Sequence, residues 1–224
     1  MSDTLRKRII WVIAFSMAMG FLEAAVVIYL RDLYYPSGFA FPLTLMSDKN
    51  AIVELLREAS TIIMLLGFGI LAGRTYNERF AFFISSFAIW DIFYYVFLKI
   101  FLDWPSSFFT WDILFLIPVP WIGPVIDPIL ISLTMILLSV CLVYRDTQAA
   151  RHRLSAREWI LLILGSLVVI GSWTWEYLQY SISAADQKTA INTFVPQNYS
   201  WMMFWLGEGL LFLAIVLFWR RTNR

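Results

Sequence analysis

The stretch FAIWDIFYYVFLK, residues 87–99, sets one aspartate, Asp91, in a run otherwise suited to lipid. Extended in both directions it gives a nearly unbroken apolar segment over residues 80–102, and about 20 such residues cross a bilayer as a helix. The rest of the chain repeats this pattern. The sequence is 60% hydrophobic, 18% aromatic and 15% charged, whereas soluble domains carry about 25% charged residues. The apolar residues come in long continuous runs rather than at an amphipathic period, so lipid is the natural solvent.

Six spans can be read, over residues 9–30, 51–73, 80–102, 125–144, 159–180 and 201–219. The first follows Arg6, Lys7 and Arg8, as a signal peptide would, but it is too long and has no small-residue cleavage site, so it is read as a retained helix. The connections are short and no internal repeat stands out. The predicted fold is therefore an all-α polytopic membrane protein, one integral-membrane unit over residues 1–224.

Basic residues orient it. Arg6, Lys7, Arg8, Arg74, Arg79, Arg145, Arg151, Arg153, Arg157, Arg220, Arg221 and Arg224 are twelve of the seventeen Lys and Arg residues, and all fall on one side of a six-span arrangement. The positive-inside rule makes that side cytoplasmic, with both termini in the cytoplasm and the chain in a plasma or inner membrane. A net charge of +1 provides no basic excess for nucleic acid. The partners expected are the bilayer itself and either a larger membrane complex or a second copy of the chain.

Acidic residues enter the spans at mid-depth or in their outer halves. Glu23 lies in span one, Glu54 and Glu58 flank Arg57 in span two, Asp91 sits in span three, Glu176 near the outer end of span five and Glu208 in span six. A charged acid at a helix centre costs roughly 2.5–3.5 kcal/mol on insertion scales, so these side chains should turn inward and find protons or cations. Helical spacing supports this. Ser16, Gly20, Glu23, Val27 and Arg31 share one stripe, as do Gly165, Val169, Ser172, Glu176 and Gln179, and as do Trp201, Trp205, Glu208 and Phe212. Tyr94 and Tyr95 follow Asp91 by three and four residues, on its side of the helix. The candidate site is thus Glu23, Glu54, Arg57, Glu58, Asp91, Tyr94, Tyr95, Glu176, Trp205 and Glu208.

The segment DWPSSFFTWDILFLIPVPWIGPVIDP, residues 103–128, joins spans three and four. Its five prolines forbid one uninterrupted helix. Two readings fit: a re-entrant dip or half-helix ending around Pro118–Pro124, or a segment lying at the interface on its tryptophans. In either, Trp111, Asp112, Trp121 and Asp127 form an outer cap over the acids.

The chemistry follows from the side chains present. Cys141 is the single cysteine and His152 the single histidine, the latter in a basic connection far from the acids. That disfavours haem and mixed His/carboxylate metal centres, and no cofactor or metal is assigned. The spacing of Glu54 and Glu58 is too common to indicate a metal by itself. Carboxylates beside aromatic faces favour a cationic guest, a proton included. The function expected is transport of such a guest. The alternatives are a membrane enzyme using carboxyl acid–base chemistry on a lipid-phase substrate, and an accessory subunit of a larger complex.

Overall fold

The structure, a computed structural model, describes residues 3–147 and 152–223, so Arg151 and Arg224 of the basic set lie outside the described residues. Among the described residues seven helices form: α1 (Asp3–Tyr34), α2 (Asp48–Ala72), α3 (Tyr76–Leu102), α4 (Ile126–Asp146), α5 (Ala156–Ser183), α6 (Gln187–Thr193) and α7 (Trp201–Thr222). All but α6 are long and apolar enough to cross a membrane, consistent with a multi-pass membrane protein. Large apolar side chains cover the outside: Trp11 on α1, Leu71 on α2, Ile163 on α5 and Met202 on α7 are all exposed, as on a surface that meets lipid or another protein.

Helix starts follow local side-chain chemistry. Ser47 accepts the Asn50 amide at 3.2 Å and Thr75 accepts the Glu78 amide at 3.1 Å. Ser155 and Glu158 form a reciprocal capping box at the start of α5. The tight turn from α2 into α3 works because Gly73 closes α2 with its amide on the Gly69 carbonyl.

Consecutive spans run antiparallel. One end of the bundle, the basic end, is tied by Arg8 to Glu78, Arg221 to Glu158, Arg145 to Asn223, and Asp146 to Thr75. The start of α1 and the end of α7 therefore lie at the same end. Helix α3 is the hub, packing on α1, α2 and α4, while α5 and α7 form a second tight pair. Small residues permit these approaches. A Cβ on Gly165 of α5 would lie 2.9 Å from the Gly207 carbonyl of α7, and one on Gly69 of α2 would lie 2.6 Å from the Phe83 amide of α3. Gly69 and Gly73 of α2 thus both serve its packing against α3.

The connection after α3 departs from an all-helical chain. Instead of a half-helix, residues 111–124 fold as an antiparallel hairpin of β1 (Trp111–Phe115) and β2 (Trp121–Pro124). The physical reason is local. Pro118, Pro120 and Pro124 withhold helical donors, while Trp, Ile and Phe suit a pleated strand, and cross-strand bonds satisfy an apolar backbone that no helix could. The hairpin is wedged into the end of the bundle opposite the basic end. Gly123 brings β2 against Trp173 of α5, and Ile122 and Val125 are buried.

Candidate functional site

Helices α1, α2 and α3, the hairpin, the α1–α2 connection and α6 enclose a cavity of about 340 Å³. The inward stripe of α1 holds: Ser16 and Arg31 are buried, and Glu23 and Val27 are partly so and face the cavity. Glu54, Arg57 and Glu58 project from α2, and Asp91, Tyr94 and Tyr95 from α3. Asp112 joins them from β1. The mouth is rimmed by exposed Thr44, Leu45, Asp48 and Lys188. There Lys188 of α6 bonds Asp48 of α2 at 2.9 Å.

The charges inside are unevenly matched. Arg57 serves two acids, meeting Glu54 at 2.6 and 2.9 Å and Glu23 at 2.5 Å across the α1–α2 gap. Arg31 serves Asp112 at 3.3 Å, and Tyr95 donates its hydroxyl to the other Asp112 oxygen at 3.2 Å. Two acids reach neutral donors only. Glu58 accepts the Leu116 amide at the hairpin tip at 3.0 Å, and Asp91 accepts the Ser132 hydroxyl of α4 at 2.9 Å.

Three residues of the sequence-derived set lie elsewhere. Glu208 accepts the Thr134 hydroxyl between α7 and α4. Glu176 accepts the Gln197 and Asn198 amides at 3.0 Å and so anchors the connection into α7. Trp205 is 55% exposed and points away from the bundle interior. The expected cap also divides. Asp112 enters the cavity, whereas Trp121 stacks on Trp173, whose indole donates to fully buried Asp127 at 3.2 Å, and Trp111 packs near Tyr199.

Sequence reasoning missed Arg31 as a site residue, together with its clamp. The guanidinium carbon sits 3.8 Å from the Trp104 ring centroid and 4.7 Å from that of Phe39. A signal existed, since Arg31 completes the α1 stripe one turn beyond Val27. Phe39 and Trp104 come from irregular connections and follow no period.

Burial pushes the Asp112 carboxyl up to about 6, outweighing the opposing pull of Arg31. Burial, then the neighbouring Asp127 carboxylate, holds the Tyr199 phenol well above its ordinary value.

Chemically, inside the Asp48–Lys188 rim the cavity offers five carboxylates, two guanidiniums already engaged, tyrosine hydroxyls and apolar walls such as Leu30, Leu43 and Ile191. No protein-family model, no curated protein and no solved structure matches this chain.

Proposed function

We propose that this protein admits a cationic guest, a proton or a small organic ammonium, into the cavity between α1, α2, α3 and the hairpin, as part of transport. The observation that carries this reading is the charge mismatch: inside the Asp48–Lys188 rim five carboxylates face two arginines, and Glu58 and Asp91 are left with neutral partners. Uncompensated carboxylates within a membrane are costly unless protons or a cation join them. Apolar and aromatic walls favour an organic ammonium over a strongly hydrated metal ion. In this reading Asp91 and Glu58 are the guest's counter-charges, Tyr94 and Tyr95 its aromatic wall, and Arg57 the clamp that keeps Glu23 and Glu54 in place.

Depth supports the same reading. Glu58 is ten residues into α2, counted from Asp48, and Asp91 is eleven residues before the end of α3 at Leu102. At about 1.5 Å per residue both lie roughly 15 Å from the hairpin end of their helices. The hairpin tip bonds Glu58, so residues 111–124 are best read as re-entrant. With the basic end cytoplasmic in a cell membrane, the cavity mouth opens outward. A reporter fused after Thr222 should then read cytoplasmic. The exposed Asp48–Lys188 pair closes the mouth by a contact that can break without uncovering any core, which favours passage over catalysis on a retained substrate.

The test is uptake of labelled tetraethylammonium into proteoliposomes under an imposed pH gradient. Wild-type protein should accumulate it, and Asp91→Asn and Glu58→Gln should not. Equal accumulation by vesicles with and without protein would remove the transport reading.

A further inference from the structure

A second concave surface lies at the opposite end of the molecule, between α4 and α7, outside the acid cavity. Its volume is about 480 Å³, and Leu137, Val140, Phe212 and Ile215 give it an almost wholly apolar floor. The two helices touch only sparingly, so the groove is open along its length. At the basic end it finishes in Tyr144, Trp219 and Arg220.

Arg220 is exposed and bonds no acid among the described residues. Arg145 is 4% exposed, lies 4.1 Å above the Trp219 ring and, among the described residues, bonds the Asn223 amide oxygen at 2.9 Å. Its Nε has no hydrogen-bond partner, and no carboxylate among the described residues stands within ion-pair distance. The nearby Asp146 is turned away, accepting from Thr75 and Asn77. Elsewhere at this end the cations Arg8 and Arg221 are paired with Glu78 and Glu158. The groove thus ends in one exposed cation, Arg220, with Arg145 buried against the Tyr144 and Trp219 rings that line it; neither arginine pairs with a carboxylate among the described residues, and such rings are typical of an interface.

From this charge complementarity we propose that the α4–α7 groove is a binding site for an anionic phospholipid, with one acyl chain along Leu137, Val140 and Ile215 and the phosphate at Arg220, where the buried charge of Arg145 adds to the positive potential. Basic recesses between membrane helices recognise lipid headgroups in this way. A zwitterionic lipid supplies the chain but brings its own ammonium, so it gains less from the two arginines.

Native mass spectrometry of delipidated protein titrated with phosphatidylglycerol or phosphatidylcholine tests the proposal. Val140 is 59% exposed and Arg220 is exposed, so Val140→Trp and Arg220→Gln alter the groove without touching the core. The expected result is one phosphatidylglycerol bound more tightly than phosphatidylcholine. Val140→Trp should abolish that binding and Arg220→Gln should weaken it about fivefold, the effect of one surface cation on anionic lipid. Equal affinity for the two lipids, or phosphatidylglycerol binding unchanged in Val140→Trp, would overturn the proposal. So would a protein dimer that Val140→Trp disperses, since the groove would then be a contact between copies.

Discussion

Ser132 of α4 donates its hydroxyl to Asp91 of α3 at 2.9 Å, and this neutral contact is the direct hydrogen bond that Asp91 makes. The bond can survive replacement of the carboxylate by an amide. Asp91→Asn should therefore fold and insert normally, with a stability change within about 1 kcal/mol, the net worth of one hydrogen bond. Binding of a cationic guest should nevertheless fall by tenfold or more, as loss of a charged partner worth roughly 1.5–3 kcal/mol implies. Thermal melting in detergent and a binding titration, run on the same preparation, separate the two effects.

Arg57 holds Glu23 and Glu54 together across two helices. Arg57→Gln strands two poorly exposed carboxylates and should destabilise the protein by about 3 kcal/mol, the low end for breaking a buried pair. Neutralising all three, with Glu23→Gln and Glu54→Gln added, should recover most of that loss. Failure of the triple variant to recover would mean that Arg57 acts through packing rather than charge.

Arg31 is held by Trp104 and Phe39 as well as by Asp112. Arg31→Lys keeps the charge but loses the planar stacking surface, so it should cost about 1–2 kcal/mol and loosen the hairpin. Amide hydrogen exchange over residues 111–124 should speed up in this variant while the basic end of the bundle stays unchanged.

Asp112 carries a pH signature. Burial raises its folded carboxyl to about 6, above the ordinary value of about 3.9 in the unfolded chain. The folded state therefore binds this proton more tightly. The resulting stabilisation is complete below about pH 4 and is lost as pH rises through about 6. Melting temperature measured from pH 4 to 7 should show a downward component in wild type that Asp112→Asn lacks.

The six spans and their alternating directions were legible because continuous apolar length and basic clustering are properties of sequence alone. So was the inward face of α1, since Ser16, Gly20, Glu23, Val27 and Arg31 recur at helical spacing. The hairpin was half legible. Pro118 and Pro120 announce that no helix runs through, but the pairing of Ile113 with Ile122 depends on contacts to α2 and α5 that no local signal encodes. The site divided for the same reason. Glu208 shares its depth with Asp91, yet α4 carries Ser132 and Thr134 in different directions, so the two acids meet different faces of the same helix. Depth along a helix is written in sequence, whereas the neighbour a side chain meets is decided by how helices pack.

The most direct measurement is equilibrium binding of tetraethylammonium to purified wild-type protein, Asp91→Asn, Glu58→Gln and the double variant. If Asp91 and Glu58 are the counter-charges of a cationic guest, wild type binds one equivalent, each single variant binds at least about tenfold more weakly, as loss of one charged contact implies, and the double variant does not bind. Undiminished binding by the well-folded double variant, or none by wild type, would contradict the assignment of the cavity.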